Sequence, residues 1–115
     1  MSTLAELKTI TEELGIPVET GAFTEAAPSV YAVLTPIFDS FSFYGDDAPL
    51  AEICEVRISL YSNENYVSLV RTLVKSLLRS DFSVTDRRYI GYETETGYHH
   101  FAVDVAKSYE YDKEE

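Results

Sequence analysis

The sequence predicts an α+β fold, an α/β sandwich in which a mixed, mostly antiparallel sheet of about four to five strands carries two main helices. Three observations lead there. Two separate segments repeat apolar residues every three or four positions, the helical period. Ile53–Tyr61 alternates apolar and polar residues, the strand period. The last third places two strand-like segments around the polar stretch Tyr92-Glu93-Thr94-Glu95-Thr96-Gly97-Tyr98. With 115 residues, the chain matches one domain with its own core.

Taken in order, Thr3-x-x-Glu6 is a capping box, in which hydroxyl and carboxylate satisfy free N–H groups at a helix start. Leu4, Leu7, Ile10 and Leu14 then form one apolar stripe, so a first helix is expected over about 3–14. Gly15 supplies a residue able to turn left-handed, and Pro17 prevents continuation. From Val18 to Phe43 the pattern is extended. A strand is expected over Ser29–Ile37, with Pro28 and Pro36 marking its ends, and Phe38, Phe41 and Phe43 continuing or covering the sheet. Tyr44–Pro49 is a loop by composition. In Ile53–Tyr61, Cys54, Val56, Ile58 and Leu60 share one face, while Glu55, Arg57, Ser59 and Tyr61 share the other.

Ser62-Asn63-Glu64-Asn65 is a helix entrance with Ser62 or Asn63 as the cap. The helix is expected over about 64–80, with an apolar face wide enough to cover a sheet. Its other side aligns Arg71, Lys75 and Arg79 at four-residue spacing. That row has two readings: a solvated face that compensates the helix dipole, or a basic seam for carboxylates of another subunit. A hairpin over about 82–109 follows, with a tip of about five residues ending in Gly97. In its second strand Phe101, Val103 and Val105 oppose His100, Ala102, Asp104 and Ala106. Residues 110–115 form a polar, frayed end.

Nine basic against twenty acidic residues give a net charge of −11. Such a surface repels phosphate backbones and anionic membranes, which disfavours general nucleic-acid binding. No apolar run approaches the roughly 20 residues of a membrane span, and the first residues lack the pattern of a signal peptide. The simplest expectation is synthesis in a cytoplasm. Cys54 is the single cysteine, which excludes an intrachain disulfide and suits a small apolar role in a strand.

Motifs for chemistry are sparse. His99 and His100 are adjacent, so on a strand they point to opposite faces and do not clasp one metal ion. Either beside Asp86 or Asp104 would make an acid–base pair, an arrangement common by chance in an acidic chain. No phosphate-binding glycine loop, nucleophile elbow or calcium-loop spacing is present. The expectation is no catalytic residue, no metal and no cofactor. The many tyrosines lie among acids rather than bases, which suits core and interface positions better than nucleic-acid stacking.

The order of features resembles the tail terminator or tail-completion proteins of long-tailed bacteriophages and prophages, also called minor tail or head–tail joining proteins. The resemblance rests on the strand Val30-Tyr31-Ala32-Val33-Leu34 and the loop Tyr44-Gly45-Asp46-Asp47. It continues through Glu55-Val56-Arg57-Ile58-Ser59-Leu60-Tyr61-Ser62, which runs into the Asn65-Tyr66 helix entrance, and ends on the hairpin Tyr92–His100. It implies a structural, non-enzymatic protein that caps the tail tube as a six-membered ring, stops tube growth and meets the head connector. The tail tube protein and connector proteins are then its partners. Its location would be the head-proximal end of the tail, reached from the host cytoplasm. Acidic walls would let DNA pass a ring's bore without being gripped. The residues expected at subunit contacts are Arg71, Lys75, Arg79, Asp46, Asp47 and the hairpin tip Glu93, Thr94, Glu95 and Thr96. Two other readings stay open: a small acidic adaptor or regulatory module binding a basic protein, and an enzyme using one of the histidines.

Overall fold

A computed structural model describes residues 3–20, 29–41, 44–45, 48–49 and 51–110. In chain order these form α1 (Thr3–Glu13), β1 (Val18–Thr20), β2 (Val30–Phe41), β3 (Tyr44–Gly45), β4 (Ala48–Pro49), β5 (Ala51–Ser62), α2 (Tyr66–Arg79), β6 (Ser83–Glu93) and β7 (Tyr98–Glu110). Five strands build a mixed sheet in the order β1-β2-β5-β7-β6. β1 runs parallel to β2, and the other neighbours are antiparallel. The α+β expectation holds, with two helices and a five-stranded, mostly antiparallel sheet. β3 and β4 pair separately where a loop was expected. Asp46 and Asp47, the expected contact residues between them, lie outside the described residues, as do Pro28, Phe43 and 111–115.

Register explains the two faces of the sheet. Leu34 sits opposite Ile58, and Ile58 opposite Val103. Ala32, Leu60 and Phe101 make the next row, and Val56 and Val105 another. Opposed residues share a face, so these side chains form one apolar surface. Against it, α1 packs over β1 and β2, and α2 over β5, β7 and β6. Leu7 comes from α1, and Val70, Leu73 and Leu77 from α2; all join the buried core. The opposite face carries Tyr31, Val33, Tyr61, Ser59, Arg57, His100, Ala102 and Asp104.

Both helices end in a Schellman motif. At α1, Gly15 takes φ +79°, its N–H reaches the Glu12 carbonyl, and Ile16 N–H reaches that of Thr11. At α2 the left-handed position is Asp81, φ +67°. The N–H groups of Asp81 and Phe82 close on the Leu78 and Leu77 carbonyls. Phe82 and Leu77 are both buried, supplying the apolar contact that accompanies this turn. Lys107 adds a cross-tie: its ammonium reaches the Glu6 carboxylate at 3.4 Å and the Ser80 carbonyl at 3.1 Å.

Local expectations change in four places. Helix α1 already includes Thr3, so that residue stands inside the first turn rather than capping it. The cap of α2 is Asn65, whose side chain accepts from Ser68 N–H. Ser62 is fully buried and instead accepts from Glu64 N–H. Pro36 does not end β2; the strand passes through it with a register shift before Phe38. Ala32 N–H points toward β1, bonding the Pro17 carbonyl. Pro36, four residues on, aims its missing N–H the same way, past the last β1 pairing at Leu34. A proline is tolerated where no ladder bond is lost.

Candidate interaction surface

Apolar residues on α2 outnumber the places available in the core. Val70, Leu73 and Leu77 are buried, whereas Val67 and Leu78 are 52% and 56% exposed. Tyr89, Ile90 and Tyr92 on β6 are also large, apolar and exposed. β6 is the edge strand beside α2, and Tyr89 and Tyr92 sit opposite Phe101 and His99 on its helix side, so these two tyrosines with Val67 and Leu78 decorate one flank of the molecule. Single exposed apolar residues are ordinary, but a group on one flank marks a contact surface.

The cations collect on the same flank. Among the described residues, three cations are held in internal ion pairs: Arg57 with Asp104, Arg88 with Asp86, and Lys107 with Glu6. Arg71, Lys75 and Arg79 on α2 and Arg87 on β6 are exposed. Arg71 and Arg87 line one cleft of about 180 Å³, floored by Tyr66, Val67, Val70 and Phe101. Two guanidiniums over an apolar floor are arranged for a planar carboxylate that brings apolar neighbours. The predicted Arg71/Lys75/Arg79 row is therefore an exposed ridge of α2. Arg87 is a member that sequence reasoning missed.

Tyr66 opens α2 and packs among Tyr89, His99 and Phe101, with ring centroids 4.9 Å to 6.3 Å away. Tyr89 hydroxyl and His99 Nδ1 are 2.9 Å apart, a hydrogen bond whose direction follows the tautomer. The hairpin tip begins just beyond this cluster. Glu93, Thr94, Glu95 and Thr96 are all exposed. Gly97 at φ +78° closes the turn through its N–H to the Glu93 carbonyl at 2.8 Å. The tip is an exposed acidic projection, and it stands apart from the α2 ridge in charge.

His100 lies on the other sheet face, away from His99. Tyr31, Tyr61 and His100 stack side by side across three strands, with centroid separations of 4.7 Å and 4.3 Å. Buried His100 Nε2 makes no hydrogen bond among the described residues. Desolvation lowers the His100 pKa from its ordinary 6.5, opposed by Glu93 and assisted by Arg57. The unfolded chain therefore binds the proton more readily. This contribution to stability is complete above the unfolded value and is lost as pH falls from about 6.5 toward the depressed folded value. A His100→Gln variant should show a flatter dependence of its urea midpoint on pH across that window. Identical slopes in the two proteins would refute the assignment.

The histidine–aspartate pairs considered from sequence do not form. Asp104 is engaged by Arg57, Asp86 by Arg88, and His99 by Tyr89. A cleft of about 520 Å³ between the end of α1 and the start of α2 is lined by residues such as Ile16, Ser29, Asn65 and Leu69, and by neither histidine. Among the described residues no three His, Cys, Asp or Glu side chains gather to hold a metal ion. No helix there is long and apolar enough to cross a membrane. No protein-family model matches the sequence, and no curated protein matches it either.

Proposed function

We propose that this chain is a structural subunit of a long-tailed phage or prophage. It assembles as a ring that caps the tail tube, ends tube growth and joins the tail to the head connector. The observation that carries the reading is the α2–β6 flank, where exposed apolar residues and exposed cations coincide in a chain of net charge −11. An apolar centre with a charged rim is the composition of a protein interface. A ring subunit needs such a surface, and it needs a different complementary one to receive it. The sequence resemblance supplies the tail context. Acting by shape, such a subunit requires no cofactor, and its partners are further copies, the tube protein and the connector.

Native mass spectrometry and negative-stain imaging of the purified protein mixed with tail tubes test this reading. The expected result is a ring of density at one end of each tube. Tubes that stay bare and keep growing in its presence would end the proposal.

A further inference from the structure

The acidic flank that answers the α2–β6 surface can be located in this same chain. In the sheet order, β1 is the edge opposite β6, and α1 packs over it. Exposed Glu12 and Glu13 end α1. The last turn of α1 contains no basic residue. Carboxylates at that position face the negative end of the helix dipole, an arrangement relieved by cations from outside. Lys8, earlier on α1, does not lie in that turn. α2 shows the converse: besides ion-paired Arg88, four exposed positive charges stand on its ridge and on neighbouring β6, while no acid occupies its first turn.

We infer that the Glu12/Glu13 edge of one copy docks on the Arg71/Lys75/Arg79/Arg87 edge of a second copy, head to tail. This rests on the reading of the chain as an assembling subunit and names the two surfaces that meet. Opposite sheet edges carrying opposite charge give a heterologous contact, and such contacts generate rings when their rotation closes. Exposed Val67 and Leu78 supply the apolar centre, and the cations supply the rim. Edge-to-edge strand addition fits β6 poorly. Its ladder is interrupted at Val84/Asp86 and Tyr89/Gly91, and bulges and charges are the devices that block strand pairing at an edge. Contact through side chains remains.

Two charge-reversed proteins test the pairing: Arg71→Glu/Arg87→Glu, and Glu12→Lys/Glu13→Lys. Each is checked for folding by circular dichroism and for association by sedimentation velocity and native mass spectrometry. Each alone should self-associate about a hundredfold more weakly than the parent, because like charges now face each other. An equimolar mixture should recover association, since every contact in an alternating assembly again joins opposite charges. If the parent associates while both reversed proteins associate equally well, or if the mixture shows no recovery, the edge pairing is wrong and the subunit reading survives. A parent that stays monomeric up to its solubility limit, with and without tail tubes, defeats both.

Discussion

A Leu73→Ala protein is expected to lose about 3 kcal/mol of unfolding free energy, within the range of about 2–5 kcal/mol for leucine truncation in a core. Leu73 has no exposed surface and lies mid-helix in α2. Its side chain belongs to the same buried cluster as Leu7 of α1, Ile58 of β5 and Val103 of β7. Collapse around the deletion is restricted on the sheet side, where β5 and β7 pair over twelve residues of continuous register. The helix would have to move as a unit to refill the space, so most of the void persists. Val67→Ala is the internal contrast. That valine is on the same helix but half exposed, and its loss should change stability by less than about 0.5 kcal/mol. Urea unfolding of the two variants separates the core face of α2 from its outward ridge. Equal costs at the two positions would mean that the helix is rotated from the orientation described.

How much of this was legible in the chain depended on whether the determinant was local. The alternation in Ile53–Tyr61 identified the helix-covered face of β5, because strand side chains alternate regardless of the neighbours. Gly15 marked the end of α1 by its own conformational freedom. Period could not show that α2 carries more apolar residues than its packing site accepts. Val67 and Leu78 belong to the apolar repeat of the helix, yet both are more than half exposed. The β6 strand was least legible. Its register shifts reset the alternation, so Val84, Arg87, Tyr89 and Tyr92 share the helix side even though their spacing is three, two and three. A reader applying period two through Asp86-Arg87-Arg88 has no means of choosing which arginine meets α2. The Arg71/Lys75/Arg79 row was visible as a helical repeat, whereas its extension to Arg87 and the opposing acidic edge required the strand order. The pairing of Arg57 with Asp104 spans 47 positions in sequence and emerges only from register.

That ion pair sets the second large effect. Arg57→Met is expected to destabilise the protein by about 2 kcal/mol at neutral pH. The guanidinium grips Asp104 with two bonds, Nε to Oδ1 at 2.8 Å and Nη2 to Oδ2 at 3.1 Å. This hydrogen bonding, followed by the carboxylate's charge, raises the Arg57 pKa, so the guanidinium keeps its charge. The Asp104 side chain is 9% exposed and that of Arg57 42%. Losing a partner inside a fully buried pair costs about 3–5 kcal/mol, and the exposed side of Arg57 is already shared with water, which reduces the loss. The stranded carboxylate would also lie across the ladder from Asp86, whose own partner is Arg88. A second substitution, giving Arg57→Met/Asp104→Leu, should recover most of the stability, because an apolar pair strands no buried charge. The coupling between the two positions, measured as a double-mutant cycle by urea unfolding, is then large and favourable. A one-residue slip of β7 against β5 would carry Asp104 to the helix-covered face, so the pair also opposes misregister. Should the double variant be as unstable as the single one, the cost lies in lost packing of the arginine stem, and the ion pair contributes little to holding β5 and β7 in place.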